Sequence, residues 1–143
     1  MTLRQAIELN SDEIPEVLLA IQFDDIQLLW HSDFYDGMLS GMLKYKRRYY
    51  WCQAIAENDN RDDNNPLWYR RFAVISLTQE QIKEERYWHK LFRKHVGTHT
   101  DYQNNKRVGK VHSIRDMSKF YTPFASRQER DFSSNEVIGY FED

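Results

Sequence analysis

The longest helix predicted for this chain spans residues 78–96, TQEQIKEERYWHKLFRKHV. Thr78 followed by Gln81 is a capping-box signature for a helix start, and Gly97 is typical of a helix end. On a helical wheel the apolar and aromatic side chains share one half: Ile82, Trp88, Leu91, Phe92, His95 and Val96. The opposite half is basic: Lys83, Arg86, Lys90, Arg93 and Lys94. The pattern predicts an amphipathic helix with one face on a core and one basic face.

The sequence before this helix carries strand signals. Runs rich in β-branched, aromatic and other apolar residues predict strands over 26–30, 38–45, 49–55 and 69–77. An Asp-, Ser- and Gly-containing turn at 32–37 joins the first two strands, and a tight basic hairpin at 46–47 or 47–48 joins the next two. Gly41, in mid-strand, indicates a bulge or the close approach of another group.

These elements predict the fold class and the domain organisation. We expect an α+β fold in which the strands form a small antiparallel β-meander and the 78–96 helix packs on one face, with short flanking elements. A last strand over 136–141 is expected at the sheet edge. The 143 residues suit one globular domain over 1–143, with a flexible polar loop at about 57–66.

The segments at the two sides of this core are less determined by their patterns. Ser11, Asp12 and Glu13 before Pro15 favour a short helix over 12–20. A rival interpretation joins the apolar runs 17–23 and 26–31 in a hairpin. Beyond Gly97 we expect irregular structure over 98–109 and a short helix over 114–121 capped by Ser113.

Composition restricts the class of protein. Hydrophobic residues make up 41% and charged residues 29%, and no apolar run approaches the roughly 20 residues that cross a bilayer. No secretory signal is recognisable at the amino terminus, so the sequence predicts a cytoplasmic protein. Cys52 is the single cysteine and lies in an apolar run, which predicts a buried, inert thiol. Phosphate-loop, G-x-S-x-G and H-E-x-x-H motifs are missing from the sequence, and we expect no cofactor.

Charge is distributed unevenly along the chain. Residues 1–37 carry eight acids and one arginine, a net of -7. Residues 64–128 carry thirteen Lys or Arg and five acids, a net of +8, and residues 129–143 return to -4. The acidic and basic regions either pair within one chain or form two poles that attract different partners.

Basic and aromatic residues alternate in the strands and on the helix. This composition is typical of sheets that stack bases and neutralise phosphates, and it also suits an acidic protein surface. The candidate binding residues are Arg47, Arg48, Tyr49, Trp68, Arg70, Arg71, Lys90, Arg93 and Lys94.

Two places have residues suited to acid–base chemistry. His31, Asp33 and Asp36 surround the first turn, where a histidine and two carboxylates suit a general acid and base or a metal, although Asp and Gly are also ordinary turn residues. Glu85 falls within the apolar half of the helix. It predicts a buried ion pair, with His89 or an arginine from the sheet as partner, or else a cleft.

Histidines near the end of the helix suggest a weaker metal hypothesis. His95 and His99 are four residues apart, but Gly97 separates them, so helical geometry does not bring them together. His95 is also interpreted as a core histidine.

Three functions remain open from the sequence. The favoured one is a non-enzymatic, intracellular interaction domain that binds another protein, or a second copy of itself, through its charge-polarised, aromatic surface. The alternatives are binding of RNA or single-stranded DNA, and a small enzyme or metal site around His31, Asp33 and Asp36. No membrane partner is expected.

Overall fold

The computed structural model describes residues 1–59, 68–111 and 116–143 and confirms the α+β class. One antiparallel sheet contains Ile26–Phe34 (β1), Met38–Tyr45 (β2), Arg48–Asp59 (β3), Trp68–Ser76 (β4) and Val137–Glu142 (β7), in the spatial order β1-β2-β3-β4-β7. The helices are Leu3–Ile7 (α1), Ile14–Val17 (α2), Gln79–His95 (α3) and Ser118–Ser126 (α4). A separate hairpin pairs Tyr102–Gln103 (β5) with Lys106–Arg107 (β6). The predicted meander and edge strand β7 are both present.

The β2–β3 hairpin turns at Lys46 and Arg47, one of the two positions expected. Both residues have positive φ, 48° and 67°, the conformation of a type I′ turn. This turn normally selects Gly or Asn, so the flanking strands stabilise a backbone that the turn residues themselves disfavour.

Gly41 allows β1 and β2 to approach each other. A Cβ atom there would lie 2.2 Å from the carbonyl oxygen of Trp30 and 2.9 Å from Cα of His31. Any larger residue would therefore push the two strands apart, which confirms the close approach that the sequence indicates at this position.

Both faces of the sheet are covered by apolar residues. In β4 Phe72 and Val74 belong to one buried cluster, whereas Ala73 and Ile75 belong to the other. An apolar run without alternation is the expected pattern for a strand that is buried on both faces. Cys52 is 0% exposed and burial raises the pKa of its thiol, in agreement with an inert cysteine.

Helix α3 has the predicted start. Thr78 and Gln81 bond reciprocally: the Gln81 amide donates to the Thr78 hydroxyl at 3.1 Å, and the Thr78 amide donates to the Gln81 side chain at 2.9 Å. Ile82 and Glu85 are buried, and α4 packs against the helix.

The amino-terminal segment differs from expectation. Neither a helix over 12–20 nor a 17–31 hairpin forms: α2 covers four residues, and α1, which has its own capping box, was not predicted. The chain leaves the helix at Leu18 because the next residues pair with β7. The Ile21 amide donates to the Tyr140 carbonyl at 2.7 Å, and the Tyr140 amide donates to the Leu19 carbonyl at 2.9 Å.

The predicted bounds of one loop and one helix also need correction. Strand β3 continues to Asp59, so residues 57–59 are strand rather than loop, since they pair with β4. The rest of the predicted loop, to residue 66, and Ser113 lie outside the described residues. Helix α4 begins at Ser118 and runs to Ser126, later than the predicted 114–121.

The β5–β6 hairpin occupies part of the segment that we expected to be irregular. Asn104 and Asn105 have φ of 53° and 59°, which makes the tight turn. The Asn105 amide group pairs with β1: it accepts from the Leu28 amide and donates to the Ile26 carbonyl, both at 2.9 Å. The hairpin is thereby attached to the free edge of the sheet.

Within the described ranges, none of the helices has the length and apolar character needed to cross a bilayer.

Candidate functional site

A groove of about 990 Å³ runs between helix α3 and the β1–β2–β3 side of the sheet. Its sheet side is made by Leu29 and Trp30 of β1, Lys44 of β2 and Tyr49 of β3. The helix side carries the exposed face of α3. Thr98, Asp101 and Tyr102 close one end. We call this the basic groove.

The floor of the basic groove is a stacked pair of rings. The Trp30 indole and the His89 imidazole lie 3.8 Å apart with 4° between their planes. Trp30 also forms an isolated antiparallel bridge with Asp101, and the His31 amide donates to the Thr100 carbonyl at 3.0 Å. The segment after α3 is therefore fixed on the edge of β1, which holds the floor rigidly.

Six cationic side chains line the groove: Lys44, Lys83, Arg86, Lys90, Arg93 and Lys94. Among the residues that the structure describes, Asp101 is the one acid that lines it. Arg93 Nε lies 3.1 Å from Asp101 Oδ2, and among the described residues none of the other five has a carboxylate within 4.0 Å. The groove therefore has a large excess of positive charge at short range.

Tyr49 orders two of these cations. The Lys44 ammonium lies 5.0 Å from the centre of its ring and the Arg86 guanidinium 5.2 Å from it. These contacts are cation–π interactions, which favour the positions of the cations without neutralising them. Tyr87, beside them on α3, is 57% exposed and adds a second aromatic surface.

Burial shifts the pKa values of two groups at the groove, His89 and Asp101. Burial, with the charge of Arg93, lowers the pKa of His89 to about 4, although Nε2 lies 3.0 Å from Asp101 Oδ1. Burial raises the pKa of Asp101, and Arg93 and His99 partly oppose that rise. At neutral pH the His89 ring is an uncharged stacking surface, so the positive charge of the groove belongs to lysine and arginine.

Four of the nine predicted binding residues line the groove: Tyr49, Lys90, Arg93 and Lys94. Arg47 and Arg48 are exposed at the β2–β3 hairpin tip and lie outside it. Trp68 is half-buried, with the guanidinium of Arg70 4.7 Å from its ring.

Arg70 and Arg71 do not belong to a basic surface, which corrects the expectation for them. Arg70 is 3% exposed: its Nε donates to Glu57 Oε1 at 3.1 Å, and its Nη atoms donate to the carbonyls of Tyr35, Asp36 and Met38. Arg71 is 9% exposed, donates to Glu142 Oε1 at 3.0 Å and donates to the Ser11 carbonyl. Both guanidinium groups are fully engaged inside the fold.

The sequence reasoning missed several groove residues. Trp30, Lys44 and His89 were not among the candidates: Trp30 and Lys44 lie on strands distant in sequence from the helix, and His89 was considered only as a partner for Glu85. Lys83 and Arg86 were recognised on the basic half of the helix but not selected. Their position on the basic helical face could have identified them from the sequence. The strand residues could be identified only from the packing of α3 across β1 and β2.

The candidate acid–base residues at the first turn have different environments. His31 is 7% exposed between Phe34 and Tyr102, and its burial, with Arg107, lowers its pKa to about 4, partly offset by Asp33. Asp33 accepts from the Ser40 hydroxyl at 3.2 Å, whereas Asp36 is exposed in the turn with φ of 49°. A catalytic role here stays a prediction.

Glu85 forms the buried ion pair that its position predicts, but with a different partner. Arg130, from the segment before β7, donates through Nε to Oε1 at 2.7 Å and to Oε2 at 3.1 Å. The same guanidinium lies 4.3 Å from the Trp51 ring and donates to Ser32 Oγ at 3.2 Å. No sequence pattern links residues 85 and 130.

The histidines near the end of α3 do not assemble with other ligands. His99 packs against Phe92, with ring centres 5.2 Å apart, and His95 is half-buried at the last position of the helix. Within the part of the chain that the structure describes, no three His, Cys, Asp or Glu side chains are grouped so as to hold a metal ion.

Comparison with known proteins finds no matching family, curated protein or solved structure for this chain.

Proposed function

We propose that this protein binds single-stranded nucleic acid, with RNA as the first candidate, along the basic groove. The observation that carries the proposal is the set of six cations around one acid in a groove with an aromatic floor. Like charges held close together destabilise a fold by mutual repulsion, and a bound polyanion removes that repulsion. The phosphate backbone is a regular polyanion that such a groove can follow.

The aromatic rings favour a single strand over a generic anion. Single-strand binders combine a basic groove with rings on which bases stack, whatever the base sequence. Tyr49 and Tyr87 lie among the cations, and the Trp30–His89 pair forms the floor. Cations and aromatic rings therefore occur side by side in the groove.

The net charge of -2 does not oppose this partner. At physiological ionic strength, charges separated by more than about 8 Å are largely screened, so the local excess decides the interaction. A cytoplasmic location, which the sequence predicts, belongs to the same proposal, because RNA is present there.

A second candidate is binding of an acidic protein segment, including one from another copy. The amino-terminal region motivates it: Glu8, Asp12 and Glu16 are exposed, and so are the apolar residues Val17 (50%) and Leu19 (68%). An acidic surface that also exposes apolar side chains is typical of protein interaction sites. This candidate is the interaction domain that the sequence favours.

Fluorescence anisotropy with a labelled, mixed-sequence single-stranded RNA tests the first candidate. The variant Lys90→Glu/Lys94→Glu reverses two groove charges, and Lys106→Glu/Lys119→Glu changes the net charge equally at exposed positions outside the groove. We expect the groove variant to weaken binding about a hundredfold and the control by less than about threefold. Equal effects of the two variants, or no binding by the unaltered protein at low salt, would reject the proposal. Binding of an acidic peptide but not RNA would establish the second candidate instead.

A further inference from the structure

A second, smaller cavity of about 200 Å³ lies between α3, α4 and β1. Aromatic rings form most of its wall: Trp30, Trp88, His89, Phe92, Phe120 and Phe124. Apolar cavities of about 150 Å³ bind single aromatic molecules such as benzene, so this aromatic pocket has room for one planar ring system.

The rings of the aromatic pocket form an ordered set. Trp88 meets Phe124 nearly perpendicularly, at 5.4 Å and 81°, and Phe120 and Phe124 stack at 4.8 Å. Such edge-to-face contacts fix the rings, which preserves the space between α3 and α4. The pocket is therefore part of the packed structure of the two helices.

Two buried polar atoms of pocket residues lack partners. The indole N–H of Trp88 and Nδ1 of His31 make no hydrogen bond among the described residues. Buried polar atoms are nearly always hydrogen-bonded, so each unpaired one requires an explanation. The His31 ring packs against Phe34 and Tyr102, which do not line the pocket, so the Trp88 N–H is the atom that a pocket ligand would satisfy. A planar ring with an acceptor atom would do so, whereas a purely hydrocarbon ring would not.

The aromatic pocket and the basic groove share a wall. Trp30 and His89 line both, and their stacked rings separate the two spaces. A strand lying on the groove cations therefore passes beside the pocket. Nucleobases match the pocket because they are planar, heteroaromatic and carry hydrogen-bonding edges.

We propose that the aromatic pocket receives one unstacked base of the strand bound in the basic groove. This inference rests on the proposed function, because the groove holds the strand that supplies the base. Contact of the base with the aromatic rings that line the pocket supplies binding free energy that does not depend on phosphate contacts. Recognition of a base and neutralisation of the backbone then belong to separate residues.

The test compares two single strands of equal length and backbone, one with ordinary bases and one with abasic sites. Thr100→Phe places a ring in the pocket from its edge, and Trp88→Phe keeps a ring but removes the unpaired N–H. We expect the unaltered protein to bind the base-bearing strand about tenfold more tightly. Thr100→Phe should lose most of this preference and Trp88→Phe a smaller part of it, and both should keep the affinity for the abasic strand.

The outcomes separate the pocket from the groove. Equal affinity of the unaltered protein for both strands would overturn the pocket and leave the groove intact. A preference that survives both substitutions would belong to the groove tyrosines and would also overturn it. Failure to bind either strand would overturn both proposals. If Thr100→Phe does not fold, Trp88→Phe decides, and a cooperative thermal transition of this variant shows that it is folded.

Discussion

The arginines of β4 and the cations of α3 have the same charge and opposite environments. Arg70 and Arg71 are buried and donate to carboxylates and backbone carbonyls, which attaches the first turn and the amino-terminal segment to the sheet. On α3 Lys90 and Lys94 are exposed, and in the described structure no carboxylate lies near either one. The paired set stabilises the fold, whereas the unpaired set is open to solvent and, in our proposal, to a phosphate backbone.

The largest expected effect is on the buried set. Replacing Arg70 by Ala leaves three backbone carbonyls without their donor, which should destabilise the protein by about 3 kcal/mol. Arg48→Ala, at an exposed position, should change stability by less than about 0.5 kcal/mol. Urea unfolding measures both. Similar losses for the two variants would remove the distinction between buried and surface arginines.

The Glu85–Arg130 pair allows a sharper version of this test. Arg130→Met should cost about 3 kcal/mol because Glu85, whose side chain is 7% exposed, loses its partner. Adding Glu85→Met should restore most of that loss, since an apolar pair suits the site. If the double variant is less stable than the single one, the loss comes from packing on Trp51 rather than from an unpaired carboxylate.

An intermediate effect is expected from the buried histidines. Their folded-state pKa of about 4 lies below the usual 6.5, so the unfolded state binds more protons between these values. Stability should be complete above about pH 6.5 and fall toward pH 4, by up to about 2 kcal/mol for each histidine. The raised pKa of Asp101 acts in the opposite direction at the acidic end.

His89→Phe keeps a ring on Trp30 and removes one titrating group. Thermal unfolding between about pH 7.5 and 4.5 should therefore show about half the pH dependence of the unaltered protein. If the unaltered protein were equally stable at pH 7.5 and at pH 4.5, the low pKa of the two histidines would be contradicted.

The smallest stability effect is expected in the groove. Lys90→Gln/Lys94→Gln removes two like charges from α3 and should leave the free energy of unfolding unchanged or raise it by about 0.5 kcal/mol. The same variant should lose affinity for RNA. A clear loss of stability would mean that these lysines support the fold, and the contrast with Arg70 would disappear.

Local signals predicted the fold well where they are complete within one segment. The Thr78–Gln81 capping box and the strand run 38–45 each specify an element without help from elsewhere, and both are present as predicted. The predicted amino-terminal helix over 12–20 forms only over Ile14–Val17, because Leu19–Ile21 pairs with β7, more than a hundred residues away. A long-range partner of this kind leaves no local pattern.

In the candidate site, too, local features could be predicted from the sequence and long-range contacts could not. The basic face of α3 was visible on a helical wheel, and it forms one wall of the basic groove. Arg70 and Arg71 look identical to surface arginines in sequence because their acceptors, such as the Tyr35 carbonyl, lie in other segments. The sequence shows where charged residues are concentrated. Only the packing of the fold distinguishes charged side chains that are buried in ion pairs from those that are exposed and unpaired.

The salt dependence of RNA binding tests the central claim most directly. If phosphates replace counterions at the six groove cations, the logarithm of the binding constant should fall with the logarithm of salt concentration with a slope of about -4. In Lys90→Ala/Lys94→Ala the slope should become about 1.4 less steep. Substitution of Arg47 and Arg48 by Ala, outside the groove, should leave the slope unchanged. A slope near zero, or one that the double variant leaves unaltered, would contradict the account.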